Sequence, residues 1–264
     1  MKRFQHAALL VLVAWLILSG CQSNSVRTES RGGDNTGELG SPVKRVSPAN
    51  VYVELGTAYL AEDNLGEAFK NARKAVLVDD DLASAHNLLG VVHQRLGQRA
   101  KAGEHFRRAV RLDPRNPYAL NALGSFLCGE EQYEEADGYF QRALENPLYP
   151  TPWIASHNAG QCAERAGQLS SAEDHYRRAL RSNPRFAPSL LRMAQLSFDT
   201  DHYLSARAYL QRYAQVARHT AESLWLGLRT ERQLGDKDQV ASYRLKLRTN
   251  FPDSEQAKFL KGAE

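Results

Sequence analysis

The stretch NLLGVVHQRLGQRAKAGEHFRRAVRLDPRNP (residues 87–117) is followed almost at once by NALGSFLCGEEQYEEADGYFQRALENP (residues 121–147), and the second is a variation on the first. In both, a glycine (Gly90, Gly124) is followed twelve residues later by an alanine (Ala102, Ala136). An aromatic comes at sixteen (Phe106, Phe140) and a second alanine at nineteen (Ala109, Ala143). Working outward, small residues recur at Gly56, Gly90, Gly124, Gly160, Ala194 and Gly227, spaced 34, 34, 36, 34 and 33. The alanine at twelve persists at Ala68, Ala102, Ala136, Ala172 and Ala206, and gives way to Gln239 in the last copy. The position at sixteen holds Ala72, Phe106, Phe140, Tyr176, Leu210 and Tyr243. A period near 34 with turn residues such as Gly97 and Gly167 at mid-period, and Pro114 and Pro184 near its end, predicts helix-turn-helix units. An ordinary amphipathic bundle would show the 3.6 period without the 34-residue one.

This pattern resembles the tetratricopeptide repeat family over residues 49–253. The resemblance implies an all-α fold, a right-handed superhelix or α-solenoid of six units at about 49–82, 83–116, 117–150, 153–186, 187–219 and 220–253. Within a unit the small residue lets the second helix come close, and the aromatic fills the space towards the next unit. Residues 253–263 are expected to form a short capping helix over the last apolar face. Between units three and four, Asn146-Pro-Leu-Tyr-Pro-Thr-Pro-Trp153 adds two residues and three prolines. A stiff turn is expected there, dividing the array into two rigid halves.

Ahead of the repeats, Lys2 and Arg3 precede an apolar run from Ala7 to Leu18, short of the roughly 20 residues of a membrane span. It ends in Leu18-Ser-Gly-Cys21, which resembles the lipobox of bacterial lipoproteins. Residues 1–20 then read as a signal peptide, with Cys21 as the lipidated first residue of the mature chain. Cleavage removes Lys2 and Arg3 and lowers the formal net charge from +4 to +2. Gln22 after the cysteine, where the sorting rule of that class would read Asp as an inner-membrane signal, implies the outer membrane. Acyl chains gain about 0.8 kcal/mol per buried CH₂, enough to hold the chain without a transmembrane helix. Residues 21–47 are nearly free of apolar side chains and read as a flexible tether, roughly 25 to 30 Å end to end.

Near-neutral charge with no long basic run argues against nucleic acid. No phosphate-binding loop, serine elbow or paired carboxylates can be picked out, so the chain is expected to be neither an enzyme nor a binder of cofactor, metal or small-molecule substrate. His86 and His93 sit where the repeat family packs aromatics and read as core rings. Cys128 and Cys162 fall at similar heights on neighbouring first helices. They are either a disulfide, as an oxidising periplasm favours, or two buried thiols. The face of the first helices offers a partner-binding groove. Three residues before their glycines, Asn87 and Asn121 present amide groups suited to a peptide backbone. His157 holds the equivalent place in unit four, and Val91, Tyr118 and Leu191 flank the same face.

The whole chain, lipobox to last unit, is similar to the type IV pilus biogenesis and stability lipoproteins, the pilotin family of Gram-negative bacteria. The similarity is sharpest in Asn121-Ala-Leu-Gly-Ser-Phe-Leu-Cys128, Tyr133-Glu-Glu-Ala136, Pro147-Leu-Tyr-Pro150, Tyr203-Leu-Ser-Ala-Arg207 and Phe251-Pro-Asp-Ser254. It implies a protein partner, the pilus secretin, whose delivery to the outer membrane and assembly into multimers would depend on this chain, and with them twitching motility. A scaffold lipoprotein of another envelope-assembly machine is the alternative.

Overall fold

The computed structural model describes residues 47–261; the signal peptide, Cys21 and residues 22–46 of the tether lie outside them. The described residues form thirteen α-helices and no strand. Twelve of them make six antiparallel pairs: α1 (Pro48–Ala61) with α2 (Leu65–Val78), α3 (Ala83–Arg95) with α4 (Arg99–Leu112), and α5 (Pro117–Gly129) with α6 (Tyr133–Leu144). The second three pairs are α7 (Pro152–Arg165) with α8 (Leu169–Ser182), α9 (Ala187–Asp199) with α10 (Tyr203–Ala214), and α11 (Ala221–Leu234) with α12 (Lys237–Asn250). Each pair packs within itself and onto the next, the arrangement of a solenoid. No described helix is long and apolar enough to cross a membrane.

The repeated glycine works by letting a ring lie where a side chain would stand. A methyl group on Gly90 would come within 2.6 Å of the Phe106 ring. The same addition would reach Phe140 at 2.9 Å from Gly124, Tyr176 at 2.6 Å from Gly160 and Tyr243 at 2.6 Å from Gly227. The aromatic at sixteen therefore packs first on the first helix of its own unit, and only then towards its neighbour. Phe106 also meets Phe126 of the next unit, ring centroids 5.6 Å apart. Where the sixteenth residue is Ala72, the space over Gly56 is taken by Leu88 from the following unit. Phe106, Phe140 and Tyr176 are all but fully buried, each contributing about 1.5 to 3 kcal/mol of hydrophobic stabilisation.

Phenylalanine and tyrosine at this place are not interchangeable. In the two units that use tyrosine, the residue four after the glycine is a glutamate, Glu164 or Glu231. In the two that use phenylalanine it is Gln94 or Cys128. The Tyr176 hydroxyl donates to Glu164 at 2.8 Å, and Arg192 of the next unit donates to the same carboxylate through Nε at 3.0 Å and through Nη2. Arg207 does the same to the buried Glu231. Such buried pairs add little net stability, but removing one partner strands the other charge.

The turn inside each pair is equally periodic. Asp63, Gly97, Glu131, Gly167 and Asp201, seven residues after the small residue, and Gly235, eight after it, all adopt positive φ, between 57° and 75°. Gly97 takes this conformation without the steric penalty an L side chain pays; Asp63, Glu131 and Asp201 pay it, a cost of about 1 to 2 kcal/mol each.

The proline-rich joint does not divide the array. Pro152 is the first residue of α7, where its missing N–H costs nothing, so only Pro147 and Pro150 belong to the turn. Asn146 Nδ2 donates to the Arg115 carbonyl at 3.3 Å, and Asn146 Oδ1 accepts from the Leu148 N–H at 2.9 Å. Tyr149 is buried, its ring edge-on to Tyr118 at 5.3 Å. One apolar cluster runs from Ala102 and Phe106 through Tyr149 to Ala159 and Cys162, without a break at the joint. A disulfide joins Cys128 to Cys162 across the same boundary, Cα atoms 5.7 Å apart, closing a 34-residue separation. In the chain-entropy account such a loop contributes roughly 4 kcal/mol. At the far end α13 (Glu255–Lys261) buries Ala257 and Leu260 against Leu224, Leu228 and Leu247.

The glycine contact makes a prediction of opposite signs for one substitution. Gly160→Ala drives a methyl into the buried Tyr176 ring and should lower stability by about 1 to 3 kcal/mol. Gly138→Ala, at an exposed position of α6 with nothing within 4 Å, should raise it by about 0.5 to 1 kcal/mol. Chemical denaturation of the two variants measures both; equal effects would mean that ring packing does not set the glycine.

Candidate partner-binding groove

The first helices carry a stripe of side chains at offsets of minus six, minus three and plus one from the small residue, the spacing of one helix face. In α1 this stripe supplies Val53 and Thr57, in α3 Ser84, Asn87 and Val91, and in α5 Tyr118. These six residues, with Leu60, Leu88 and Asn116, line a cavity of about 260 Å³. Its walls are mostly aliphatic and aromatic. Its polar features are amides and hydroxyls, with no charged group among the lining residues.

Asn87 is half-buried, and its Oδ1 is a buried acceptor with no hydrogen-bond partner among the described residues. A buried acceptor without a donor costs about 1 to 3 kcal/mol, so Asn87 lowers the free energy of any ligand that brings an N–H to it. Tyr118 stands at the other wall, 49% exposed, steadied by its edge contact with Tyr149. Asn116 caps α5, its Oδ1 accepting from the N–H groups of Tyr118 and Ala119 at 3.0 and 3.2 Å, which orients the backbone that carries Tyr118.

The structure thus gathers Asn87, Val91 and Tyr118 into one cavity and places the other three expected groove residues elsewhere. Asn121 is half-buried, and its Oδ1 accepts from Asn158 Nδ2 of α7 at 3.0 Å. Leu191 is a half-buried packing residue between the apolar clusters of units four and five. His157 is a correction: it is 7% exposed and belongs to the core, not to a groove. Its Nδ1 lies 3.0 Å from Ser189 Oγ, and its ring meets Phe186 edge-on at 5.3 Å and Tyr176 at 5.4 Å. A flat ring with one polar edge fits there, and Asn158, one residue on, takes the polar contact with α5. Val53 and Ser84 were not expected in the groove, although the offsets of Asn87 and Tyr118, applied to the neighbouring units, lead to them.

The second site of note is a histidine stack. His86 and His93 are buried as expected, and His105 of α4 lies between them, 5.3 Å from each ring. His86 Nδ1 and His105 Nδ1 are 3.0 Å apart, so only one of the two can hold a proton there. His93 Nδ1 is 2.6 Å from Gln98 Oε1 and its ring meets Phe69 edge-on. Burial, then the two neighbouring rings, lowers the pKa of His105. Burial likewise lowers His175 and His219, and pushes His157, which also faces Arg192, down to about 4. No three metal-ligating side chains converge in a way that could hold a metal among the described residues.

Comparison with known proteins gives two tetratricopeptide repeat matches, over residues 83–116 and 121–187. The chain is similar to the type IV pilus assembly protein PilF of Pseudomonas aeruginosa, 33% identical over 249 residues that make up 94% of this chain and 95% of PilF. Two solved structures share the fold closely. PilW, described as a widely conserved type IV pilus biogenesis factor, matches with a TM-score of 0.73 and 30% identity over 80% of this chain and 97% of its own. A structure of P. aeruginosa PilF matches with 0.73 and 32% over 82% and 97%. The Cut9 complex with Hcn1, at TM-score 0.65 and 16% identity, shares the fold alone.

The buried histidines fix the sign of a pH effect. His105, His157, His175 and His219 are held neutral in the fold but take a proton at their ordinary value near 6.5 once unfolded. Their contribution is complete above about pH 6.5 and is lost as pH falls towards their folded values. The urea midpoint at pH 5 should lie below that at pH 7.5, with His157 alone accounting for about 1 to 2 kcal/mol. His157→Gln should shrink the drop; an unchanged pH slope in that variant would contradict the assignment.

Proposed function

This chain belongs to the type IV pilus biogenesis family of tetratricopeptide repeat proteins that includes PilF and PilW, and we propose that it acts there as a lipid-anchored pilotin that captures the pilus secretin. The observation that carries the reading is the cavity on α1, α3 and α5. It is an apolar slot with the unpartnered Asn87 acceptor on one wall and the Tyr118 ring on the other. Such a site suits a peptide segment: aliphatic side chains fill the slot and a backbone N–H meets the amide. No histidine, carboxylate or lysine among its lining residues stands by to activate the Thr57 and Ser84 hydroxyls, and the family's role in protein interaction agrees.

Cys21 would supply the other half of the function. Acylated at the lipobox, and followed by Gln22, it would place the repeats on the periplasmic face of the outer membrane at the end of a polar tether. Anchor and rod then divide the work. The lipid route moves the complex outward while the repeats hold a secretin segment until the subunits assemble into multimers.

Three strains test this. Loss of the gene should leave the secretin monomeric and abolish twitching, and Cys21→Ala should leave secretin in the inner membrane. Asn87→Ala with Tyr118→Ala should lower secretin co-purification at least tenfold while leaving the unfolding midpoint within about 1 kcal/mol of the parent. Normal heat-resistant multimers in the deletion strain would end the pilotin reading. Undiminished co-purification by the double variant would move the site off this groove.

A further inference from the structure

At three of the five internal joints, a contact shows the second helix of one unit receiving the C-terminal half of the next unit's first helix. The residue thirteen after each unit's small residue marks the place. Phe69 meets the ring of His93 at 5.4 Å, Gly103 lies under Phe126, and Arg207 pairs with Glu231. In unit six the same position is Val240. The helix α13 starts in the register of a seventh first helix, and its buried side chains Ala257 and Leu260 cover Leu224, Leu228 and Leu247. The half of that face around Val240 is left to a cavity of about 380 Å³.

Val240 and Ala241 form the apolar wall of this cavity, Arg232, Lys237 and Arg244 surround it, and Glu231 and Gly235 complete its lining. Among the described residues none of these three cations makes an ion pair, and the buried Arg244 Nε meets no hydrogen-bond acceptor. The nearby carboxylates do not serve them: Glu231 and Asp236 both face Arg207. Residues 153–264 carry 17 basic against 12 acidic residues, so the excess charge is not balanced from the same half.

We propose that this cavity is the docking site for an acidic amphipathic helix of a protein partner, seated against Val240 as the next unit's first helix is seated at the internal joints. The internal joint between units two and three shows the chemistry required. There α5 sets Phe126 against Gly103, and four residues on places Glu130 3.7 Å from Arg99. Nine residues after the small residue, where unit two has Arg99, unit six has Asp236, which faces Arg207; the positive charge comes instead from Lys237 and Arg244, at the places of Ala100 and Arg107. An incoming helix with an apolar side chain followed by a glutamate four residues later would bury the first on Val240 and Ala241. Its carboxylate would meet the unpaired cations. Complementary charge of this kind governs the encounter and the choice of partner more than raw affinity. The surface is separate from the groove on α1, α3 and α5 and does not depend on what that groove binds.

The probe is a fluorescent, hydrocarbon-stapled peptide of residues 117–131 with Cys128→Ser, titrated with the mature chain and read by anisotropy. Saturable binding is expected, weakened at least tenfold by Lys237→Glu with Arg244→Glu and at least fivefold in a peptide carrying Glu130→Gln and Glu131→Gln. Arg244 is half-buried, so stability is controlled with Lys237→Glu alone: this exposed side chain should leave the unfolding midpoint unchanged while weakening binding at least threefold. No binding, equal binding by the charge-reversed protein, or equal binding of the neutral peptide would overturn the proposal. So would a several-fold gain on removing residues 262–264, which would make the chain's own tail the occupant. Phosphatidylglycerol vesicles that bind the parent and not the variant, with no peptide binding, would make the occupant a lipid surface and overturn it as well.

Discussion

A glycine beneath an aromatic ring is the contact on which the remaining architecture rests. Because Gly90, Gly124, Gly160 and Gly227 have no side chain, the rings of Phe106, Phe140, Tyr176 and Tyr243 lie flush against the first helix of their own unit. That sets how closely the two helices of a pair approach, and so where the next pair stacks. The period of 34 is the sequence trace of this steric requirement. Where the ring is missing, as at Ala72, a leucine from the following unit closes the space, so the contact is conserved in volume rather than in residue type.

Regular stacking has a functional consequence that single helices would not have. It brings rows at fixed offsets from the glycine into line across units, so that Val53 and Asn87, or Ser84 and Tyr118, face one cavity although more than thirty residues apart in the chain. The joint between units three and four guards this alignment. Tyr149 fills the space behind Tyr118, and the Cys128–Cys162 disulfide ties α5 to α7 where the register changes by two residues. Rigidity there keeps the groove wall in place before any partner arrives, which lowers the ordering cost of binding.

The pairs and their order could be read from the chain because they follow from backbone-level constraints that leave a periodic mark. The turn residues were readable at Gly97 and Gly167 but not at Asp63, Glu131 or Asp201, which adopt the same positive φ without the residue that advertises it. His157 escaped for a different reason. Its register matched Asn87 and Asn121, yet a ring that can offer one polar edge to Ser189 and its faces to Phe186 and Tyr176 gains more by burial than an amide would. Offsets from the glycine predict which face a residue starts from. They do not predict which way a large side chain turns once neighbours from the next unit are available. The third histidine of the stack, His105, was invisible to local spacing because it comes from the other helix of the pair.

The account holds that a row of first-helix side chains at the N-terminal end of the array, aligned by glycine-ring packing, is the surface that takes the secretin. A photo-reactive amino acid at position 118 tests this most directly. Irradiated in living cells that assemble pili, it should give a covalent adduct with the secretin, whereas the same group at Leu245 on the exposed side of α12 should give none. Secretin adducts at 245 and not at 118, or none at either position while pili still assemble, would contradict it.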